Sequence, residues 1–446
     1  MMSAQGWTRR HFIQAGLLLT PAVARAARWQ NWSGRLQAQS LGAIGYPRDE
    51  QELLQWLRSS NAPLRVVGGG HSFSPLVPTT GRLLSLEAMN GLIDIDQARL
   101  RAEFWAGTRI AAASPLLAQH GQGFFNEADI NMQSLAGAIS TATHGSGRRL
   151  QCLSAYVRQV RLITAQGEII DCSAEHEPDV FAAAQVSLGA LGIITRITLQ
   201  NRAAYRLHER LRVLPIAQVL DIVEREKDQH EHIEFFAFPF GDRAMLKTMD
   251  STLAASTPLQ DEDDNTLLDL AANTARVLPW SNPWLQRLIG LLVADSDRVG
   301  PSYAIYPSAR SVRFNEMEYS LPAEHGRAAI EAIMQLMRKE KLDVFFPLEY
   351  RFVAADDAWL SPFYQRSCVS ISVHQYYRQR PHPIFSRIEP ILQSYGGRPH
   401  WGKMNSWNAA AIASHYPRYP DWLQVRQRLD PQGRMLNGYM HHLLGV

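Results

Sequence analysis

The sequence predicts an α+β protein with two domains, on three observations. At 446 residues the chain is long enough for two domains. Up to about residue 205, short strand-like segments alternate with helices and glycine-rich turns, a mixture typical of α+β folds. Over residues 206–405 longer helices mix with strands, and from about residue 406 to the end the chain is helical again.

The elements of the first region follow from hydrophobic periodicity and turn residues. A helix is predicted over 51–59, because Leu53, Leu54 and Leu57 fall on one helical face. Apolar and β-branched runs then predict strands, with further helices between them. In chain order the predictions are strands over 64–67, 83–86, 93–95 and 100–105, a helix over 114–120, a hairpin with strands over 160–164 and 168–171, and a helix over 180–184.

The second region is predicted to combine helices over 216–227 and 327–341 with strands over 234–237 and 373–377. The stretch Pro279–Leu285 (PWSNPWL) predicts a tight aromatic excursion of the chain, resembling a lid. The apolar run Ile289–Ala294 (IGLLVA) is predicted to be one face of a short helix, because it is too short to span a bilayer.

Composition narrows the classes of function. Apolar residues make up 46% and charged residues 20% of the chain, as in soluble globular proteins. The formal net charge is only +3, with no basic stripe, which argues against a nucleic-acid partner. Cys152, Cys172 and Cys368 are too few and too scattered for a disulfide framework or a metal site, so no metal is predicted. Whether Cys152 and Cys172 pair is left open by the sequence.

The N-terminus resembles a bacterial twin-arginine export signal over residues 1–27. Arg9 and Arg10 precede a modest apolar run, Ala15–Leu19, and small residues with candidate cleavage sites follow. A short helix at a membrane surface is the alternative interpretation. Because the twin-arginine route carries folded proteins, the signal predicts a periplasmic protein that takes up a bulky cofactor before export. No integral membrane span is predicted for the mature chain.

Three consecutive glycines stand out in Arg65–Leu76 (RVVGGGHSFSPL), directly after what reads as a buried strand. Glycine runs cost backbone entropy, so Gly68–Gly70 indicate positive φ angles or a backbone that something approaches closely. A second stretch, Ser134–Gly147 (SLAGAISTATHGSG), consists almost entirely of small residues. Tight helix packing and a surface for a flat ligand are equally good explanations of that composition.

Three kinds of nucleotide-binding site are candidates for the glycine-rich segments of this chain. The dinucleotide fingerprint G-x-G-x-x-G is never completed after Gly68–Gly70. Gly397–Lys403 (GRPHWGK) approaches a phosphate-binding loop, but Met404 replaces the required hydroxyl and the interior residues are bulky. A flavin dinucleotide fits better, because its pyrophosphate needs several convergent backbone N–H donors and a glycine-rich turn supplies them.

The motifs together amount to a family resemblance. VVGGGHSFSP, SLAGAISTATHGSG and SLGALGIITRITLQ, in this order and spacing, resemble the FAD-binding domain of the vanillyl-alcohol oxidase (PCMH) type. Four further motifs are similar to the aldonolactone and alditol oxidase branch, which includes D-arabinono-1,4-lactone oxidase. They are NWSG at the start of the mature chain, LEYR, HWGK near the C-terminus and the DPQGRMLN ending. The resemblance implies a two-subdomain FAD-binding domain over 28–205, an α+β substrate (cap) domain with a mixed or antiparallel sheet over 206–405, and a helical segment over 406–446 that returns to the FAD domain.

The resemblance also implies how FAD is held. In this family the histidine after the glycines is bonded covalently to the flavin, and the matching residue is His71. Gly68–Ser72 are implied to cradle the pyrophosphate, Ile194 to pack by the adenosine, and His400 to lie near the isoalloxazine ring. The full set of implied cofactor-binding residues is Val67, Gly68, Gly69, Gly70, His71, Ser72, Ala128, Asp129, Ser134, Thr141, Thr143, His144, Gly145, Ile194 and His400.

The predicted catalytic residues are Glu349, Arg351 and Lys403. Glu349 and Arg351, one residue apart on a predicted strand, project from the same face and match the family's substrate-binding Glu-x-Arg. We expect Arg351 and Lys403 to polarise the substrate oxygen and Glu349 to fix hydroxyl groups. An ordinary ion pair is the alternative for Glu349 and Arg351. His374 and, with it, Tyr376 are predicted to line the substrate pocket.

The predicted reaction is oxidation of a hydroxyl of an aldono-1,4-lactone or an alditol by hydride transfer to flavin N5, with O₂ as acceptor giving H₂O₂. Ala128 introduces an alternative. Many lactone oxidases have glycine in this segment, and a methyl group there could hinder O₂, which would favour a dehydrogenase that passes electrons to a cytochrome or quinone. A catalytically inactive periplasmic sugar-binding protein is a second alternative, against which the intact His71 and catalytic residues argue.

Overall fold

The structure of the chain is a computed structural model that describes residues 28–258, 265–308 and 310–446. The export signal predicted for residues 1–27 lies outside the described residues. The helices are α1 (Glu50–Arg58), α2 (Ile110–Gln119), α3 (Leu135–Ser140), α4 (Pro178–Ala184), α5 (Ile216–Glu226), α6 (Asn265–Val277), α7 (Asn282–Leu292), α8 (Ser302–Ile305), α9 (Gly326–Glu340), α10 (His382–Ser394), α11 (Ala409–His415), α12 (Tyr419–Leu429) and α13 (Gly438–Leu444).

The strands are β1 (Arg28–Gln30), β2 (Gln37–Gln39), β3 (Leu64–Val67), β4 (Arg82–Ser85), β5 (Leu92–Asp96), β6 (Arg101–Trp105), β7 (Gln122–Gly123), β8 (Val157–Ile163), β9 (Ile169–Ser173), β10 (Ile193–Gln200), β11 (Arg202–Ala203), β12 (Arg206–Pro215), β13 (His232–Ala237), β14 (Arg243–Thr252), β15 (Ser296–Pro301), β16 (Phe314–Pro322), β17 (Leu348–Val353), β18 (Cys368–Tyr376) and β19 (Arg398–Pro399).

Two of the sheets in the first region pack on a shared core. β3 and β4 form a short parallel pair. β5, β6, β10, β8 and β9 form an antiparallel sheet in that order. From Thr195 to Gln200 in β10, buried and partly exposed residues alternate, as expected for a strand with one covered face. The predicted hairpin is β8 and β9, which pair from Gln159 with Ser173 to Ile163 with Ile169.

The C-terminal helices pack back onto the first region. Arg65 in β3 is buried and donates hydrogen bonds to the carbonyl oxygens of Leu76 (2.7 Å) and Leu188 (3.0 Å), and also to that of Met435 near the C-terminus. Burial lowers the pKa of Arg65 to about 10. Asn437 donates to the carbonyl of Pro75 at 2.9 Å. The chain beyond the glycine turn is therefore held by the last segment of the protein.

The second region is dominated by one antiparallel sheet. Among the described residues its strand order is β15-β12-β14-β13-β17-β18-β16-β19, and every pairing in it is antiparallel. α5, α9 and α10 cover one face, and α9 contributes Ile330, Ile333 and Met337 to the core. The other face points toward the first region. This arrangement confirms the α+β prediction with an antiparallel cap sheet.

Two local predictions needed adjustment. The helix predicted over 114–120 is α2, which begins earlier, at Ile110. The run Ile110–Ala113 is a good helix former, and Pro115 is accommodated inside the helix. The excursion predicted over Pro279–Leu285 is a short 3₁₀ turn, Pro279–Ser281, that leads into α7. Proline at the first positions of a helix costs no hydrogen bond, which explains why the two prolines do not break it.

Two further points concern the cysteines and membrane spans. Cys152, Cys172 and Cys368 are buried and free, so Cys152 and Cys172 are not joined in this structure. In the part of the chain that the structure describes, no helix combines the length and the apolar character needed to cross a bilayer.

Candidate active site

A cavity of about 840 Å³ lies between the first region and the open face of the eight-stranded sheet. One wall is built by the turn after β3, by α3 with the loop that follows it, and by residues 187–194. The opposite wall is built by the central strands β14, β13, β17, β18 and β16. The end of α7 and the loop over residues 400–403 complete the lining. We call these the glycine wall and the sheet wall.

The glycine wall explains why three glycines follow β3. A Cβ atom on Gly68 would lie 2.2 Å from the Ser134 hydroxyl oxygen, and one on Gly69 would lie 2.6 Å from the Met132 carbonyl oxygen. Gly70 has a φ of +69°, which L side chains rarely adopt. The two small-residue segments of the sequence therefore pack directly on each other. A side chain at Gly68 or Gly69 would push these segments apart.

The second segment is held by its own hydroxyl groups. Ser134 caps α3 by accepting a hydrogen bond from the backbone N–H of Gly137 at 3.3 Å. The Thr141 hydroxyl donates to the Gly137 carbonyl at 3.1 Å, and the Thr143 hydroxyl donates to the Gln133 side chain at 2.7 Å. These bonds hold a wall of backbone and small side chains at the cavity.

His71 lies at the end of the glycine turn and is half-buried. Its imidazole stacks on the Trp32 indole with ring centroids 5.4 Å apart. Burial, helped by the charges of Lys403 and Arg109, lowers the pKa of His71 to about 4. Nδ1 of the ring is buried and has no hydrogen-bond partner in the described part of the protein. The side chain is therefore a neutral imidazole with an unused buried nitrogen.

The structure brings almost all predicted site residues to this one cavity. Val67, Gly68, Gly69, Gly70, His71, Ser72, Ala128, Asp129, Ser134, Thr141, Thr143, His144, Ile194, His400, Glu349, Arg351, Lys403 and His374 all line it. Gly145 does not line it. A Cβ atom there would meet the Asn126 side chain at 2.2 Å, so Gly145 packs behind the wall. Tyr376 is also absent from the lining, and its hydroxyl donates to Asp269 at 3.0 Å.

The sheet wall owes its charge to strand register. Residues two apart on a strand face the same side, and the pairings align such residues across several strands. One row runs Glu318, Ser372, Glu349, Phe236 and Met245, and the next runs Ser320, Ser370, Arg351, Glu234 and Lys247. Glu316 and His374 pair directly in the row beside Glu318. Antiparallel pairing thus gathers ionisable side chains from five strands on the face that borders the cavity.

Glu349 and Arg351 form a buried ion pair in the middle of this wall. One carboxylate oxygen of Glu349 accepts from Arg351, and the other, Oε1, is buried without a partner among the described residues. Burial raises the pKa of Glu349 to about 8 in spite of Arg351, and the nearby Asp129 adds to the rise. The free oxygen offers a hydrogen-bond acceptor to a group that enters the cavity.

Asp129 belongs to the same charged group. Its carboxylate accepts from the Ser308 hydroxyl at 2.7 Å and from Arg310 at 3.0 Å. Burial would raise the pKa of Asp129, yet the neighbouring Arg310 and Arg351 hold it down at about 2. Asp129 therefore stays ionised and helps to fix the charge of Arg351. The resemblance placed Asp129 with the cofactor residues, whereas its polar partners come from the second region.

Lys403 is anchored by a carboxylate that the sequence analysis did not single out. Its ammonium group pairs with Glu316, which is 1% exposed. The other oxygen of Glu316 lies 3.7 Å from Nε2 of His374, and burial lowers the pKa of His374. Oxygen and nitrogen atoms of Glu316, Glu349 and His374 all lie within 4.8 Å of one another. Each carboxylate is already matched by a cation, so this cluster suits neutral hydroxyl groups better than a metal ion.

A fourth buried carboxylate, that of Glu318, links the sheet wall to the glycine wall. Glu318 accepts from the His144 ring at 2.6 Å and from the Ser372 hydroxyl at 3.0 Å. Burial alone would raise the pKa of Glu318, but His144, His400 and Lys403 hold it well below its usual value. Burial lowers the pKa of His400 to about 3. Nδ1 of His400 accepts from the backbone N–H of Gly402 at 3.0 Å, which sets the turn that carries Lys403.

Sequence reasoning missed Glu316, Glu318 and Lys247. A signal for the first two was present, because Glu316–Leu321 (EMEYSL) alternates polar and apolar residues as a half-buried strand does. The carboxylates occupy the face opposite the core residues Met317 and Tyr319. What the sequence lacked was the order of strands, which determines that this face borders the cavity.

The residues present fit a flavin dinucleotide. The glycine wall offers backbone that a flat molecule can approach, the cavity is large, and Nδ1 of His71 is unused. A family profile described as an FAD-binding domain matches residues 43–173. Fold, cavity and profile together define the chain as an FAD-dependent oxidoreductase.

A second profile, described as D-arabinono-1,4-lactone oxidase, matches residues 197–443, more than half of the chain. The chain belongs to this family, as the motifs predicted. It is 37% identical over 427 residues to the L-gulono-1,4-lactone dehydrogenase of Mycobacterium tuberculosis, covering 94% of this chain and 99% of that protein. It is 27% identical to an alditol oxidase of a Streptomyces species, covering 93% of this chain and 98% of the relative.

Solved structures support the fold alone. Cholesterol oxidase from Brevibacterium sterolicum superposes with a TM-score of 0.80 over 94% of this chain and 96% of the other, at 15% identity. This likeness confirms the predicted α+β fold class.

Proposed function

We propose that the protein oxidises a ring or side-chain hydroxyl of an aldono-1,4-lactone with bound FAD. The observation that carries the proposal is the junction of the two walls. A glycine-built backbone surface faces a buried set of carboxylates and cations across one cavity. The 37% identity with a lactone dehydrogenase favours a lactone over an open alditol as substrate. When bound, FAD supplies the hydride acceptor.

The residues of the sheet wall have distinct roles in this proposal. Oε1 of Glu349, buried and unused, accepts a hydrogen bond from a substrate hydroxyl. Arg351, held by Glu349 and Asp129, places positive charge where the oxygen of that hydroxyl becomes more negative. Lys403, anchored on Glu316, provides a second cation at the other side of the cluster. Positioning of this kind lowers a barrier because the charges are in place before reaction.

His71 is the proposed attachment point for FAD. Its low pKa keeps the ring neutral, and its buried Nδ1 has no other partner among the described residues. We expect acid-denatured protein to stay yellow, and the tryptic peptide that contains His71 to carry the mass of FAD. His71→Ala should release the flavin on denaturation. A wild-type peptide without added mass would remove the covalent link from the proposal and leave the FAD site intact.

The electron acceptor is proposed to be O₂, which would make the protein an oxidase. The second candidate is a dehydrogenase that passes its electrons to a cytochrome or quinone. Ala128, which is 5% exposed and lines the cavity, favours the second candidate because its methyl group occupies space that O₂ would need. Stopped-flow mixing of reduced protein with O₂ separates the two. Reoxidation much slower than turnover with an artificial dye would favour the dehydrogenase.

The substrate proposal is tested by a panel of sugar lactones and alditols, each with O₂ and with a dye as acceptor. Turnover of at least one aldono-1,4-lactone at a higher kcat/KM than any alditol is the expected result. A higher kcat/KM for alditols would overturn the choice of lactone. No turnover with any member would leave only a sugar-binding function.

Export to the periplasm by the twin-arginine route is also proposed, from the sequence of residues 1–27. Replacing Arg9 and Arg10 by lysine should keep the protein in the cytoplasm. The measurement is the distribution of the protein between periplasmic and cytoplasmic fractions. Equal export of the wild type and the double variant would contradict the proposal.

A further inference from the structure

Helices α6 and α7 carry a group of exposed apolar side chains that the fold does not use. Of the fourteen large apolar side chains that are exposed among the described residues, eight lie between residues 270 and 292. They are Leu270, Val277, Leu278, Trp280, Trp284, Leu288, Leu291 and Leu292. We call them the α6–α7 patch. Clusters of this kind on a soluble protein mark interaction surfaces.

The inner faces of the same helices already pack into the protein. Ala272 and Ala275 of α6 are fully buried against Phe345 and Phe346, and Ile289 of α7 packs on the same cluster. Folding therefore accounts for the inner apolar residues alone. The outer side chains stay exposed in the part of the chain that the structure describes.

The shape and charge of the patch indicate the kind of partner. Trp280 and Trp284 lie at the turn between the helices and are 72% and 68% exposed, so they project from the surface. Residues 265–292, which span α6 and α7, contain two basic residues, Arg276 and Arg287, and one acidic residue, the partly buried Asp269, which accepts from the Tyr376 hydroxyl at 3.0 Å. Both arginines are exposed. Among the described residues, Arg287 pairs with the exposed Asp242 at 3.8 Å.

We propose that the α6–α7 patch docks on the surface of a phospholipid bilayer. Tryptophan favours the boundary between headgroups and acyl chains, where its ring is apolar and its N–H remains hydrated. A helix with apolar side chains on one face and arginines beside them lies in that boundary, and the arginines reach the phosphates. Projecting side chains can penetrate a bilayer, whereas a protein partner would require a complementary recess.

Docking would place the cavity next to the lipid. Ile289, Leu292 and Val293 line the cavity, although Leu292 is also 70% exposed and belongs to the patch. The rim of the cavity and the lipid-binding surface are thus parts of one helix. This inference does not depend on the substrate or on the flavin, so it can fail without affecting the proposed reaction.

The test is co-sedimentation of the full chain, with its flavin, with two kinds of vesicles. One kind is phosphatidylcholine alone, and the other is phosphatidylcholine mixed with phosphatidylglycerol. Wild-type protein should bind the vesicles, and Trp280→Ser with Trp284→Ser should weaken binding by about tenfold or more. Arg276→Gln with Arg287→Gln should weaken binding to the anionic vesicles and leave binding to phosphatidylcholine unchanged.

Leu253→Ser is the matched control, because Leu253 is 95% exposed and lies outside the patch. This variant should bind like the wild type. Residues 1–27 are the same in every variant, so any binding by that stretch cancels in the comparison. Flavin absorbance and turnover of a soluble substrate show that each variant is folded.

Two results would overturn the inference. The first is wild-type protein that binds neither kind of vesicle, or binds no better than the double tryptophan variant. The second is a wild-type dimer in analytical ultracentrifugation that the tryptophan substitutions abolish while vesicles go unbound. That second result would assign the patch to a second copy of this chain.

Discussion

The two walls of the cavity achieve different tasks with opposite chemistry. The glycine wall uses residues with little or no side chain, and its geometry is set by the contact of Gly68 and Gly69 with residues 132–134. The sheet wall uses long ionisable side chains, fixed by antiparallel register and by one another. Holding a large flat cofactor requires approach to the backbone, whereas activating a hydroxyl group requires charges held in place.

The comparison predicts that substitutions in the two walls impair different properties of the protein. Those in the sheet wall should slow the reaction, and those in the glycine wall should weaken binding of the cofactor. The largest effect on the reaction is expected at the centre of the sheet wall. Arg351→Met removes the cation that pairs with Glu349. We expect the rate of flavin reduction by a lactone to fall by about 10²- to 10³-fold, with the flavin still bound. Anaerobic stopped-flow absorbance measures the rate.

A matched control for this substitution is Arg298→Met. Arg298 pairs with the buried Glu209 at 2.6 Å in the same sheet, but neither residue lines the cavity. This variant should reduce its flavin at a rate near that of the wild type. Equal losses in both variants would mean that Arg351 acts through the stability of the sheet alone.

A substitution in the glycine wall is expected to reduce the amount of bound cofactor. Gly68→Ala places a Cβ atom 2.2 Å from the Ser134 hydroxyl, so the two segments must separate. We expect a loss of flavin content and about 1–3 kcal/mol of stability, measured by absorbance of the purified protein and by denaturant unfolding. Gly438→Ala is the control, because a Cβ atom there meets nothing within 4 Å. Full flavin content in Gly68→Ala would contradict the role given to this wall.

The rate of flavin reduction should depend on pH through Glu349, which belongs to the sheet wall. Burial raises its pKa from 4.5 to about 8, so the ionised carboxylate that accepts a hydrogen bond from the substrate hydroxyl becomes available as pH rises. We expect the rate of flavin reduction to increase with pH, with an apparent pKa of about 8. In Glu349→Gln this increase with pH should be absent. An unchanged profile in Glu349→Gln would assign the titration to another group.

Stability should change in the opposite direction with pH. Because the folded state binds the Glu349 proton more tightly than the unfolded state, folding is favoured at low pH and loses this contribution between 4.5 and about 8. The melting temperature of the wild type should therefore fall more steeply over this range than that of Glu349→Gln. Parallel slopes would show that Glu349 is ionised throughout.

The smallest effect is expected at Ala128, and it concerns the rate at which O₂ reoxidises the reduced protein. Ala128→Gly removes one methyl group from the cavity, worth about 1 kcal/mol of contact, which corresponds to less than about tenfold in rate. Reoxidation of the reduced protein by O₂ should become faster, and reduction by the lactone should not change. Slower reoxidation in the variant would show that the methyl group is no barrier to O₂.

The sequence predicted the glycine wall better than the sheet wall. Gly68–Gly70 and Ser134–Gly147 are local patterns, and few backbone conformations or contacts explain such runs of small residues. Once both segments are assigned to one ligand, they are expected to lie next to each other, as they do. Glu349 and Arg351 were also predictable, because residues two apart on a strand share a face. In each case neighbouring residues carried the signal.

Other parts of the site depend on non-local pairing. Glu316 and Glu318 reach the cavity only because β16 pairs with β18, which pairs with β17. Those strands are joined by long connections, so no local pattern specifies their order. Lys247 arrives from β14, on the other side of β17. Buried charges gathered from several strands are therefore visible in the fold and not in any single segment.

The most direct test of the account is anaerobic mixing of the purified protein with an aldono-1,4-lactone while the flavin absorbance is recorded. The account predicts bleaching of the oxidised flavin band in the wild type and a much slower change in Arg351→Met. A protein that contains flavin and stays fully oxidised with every lactone and alditol would contradict it.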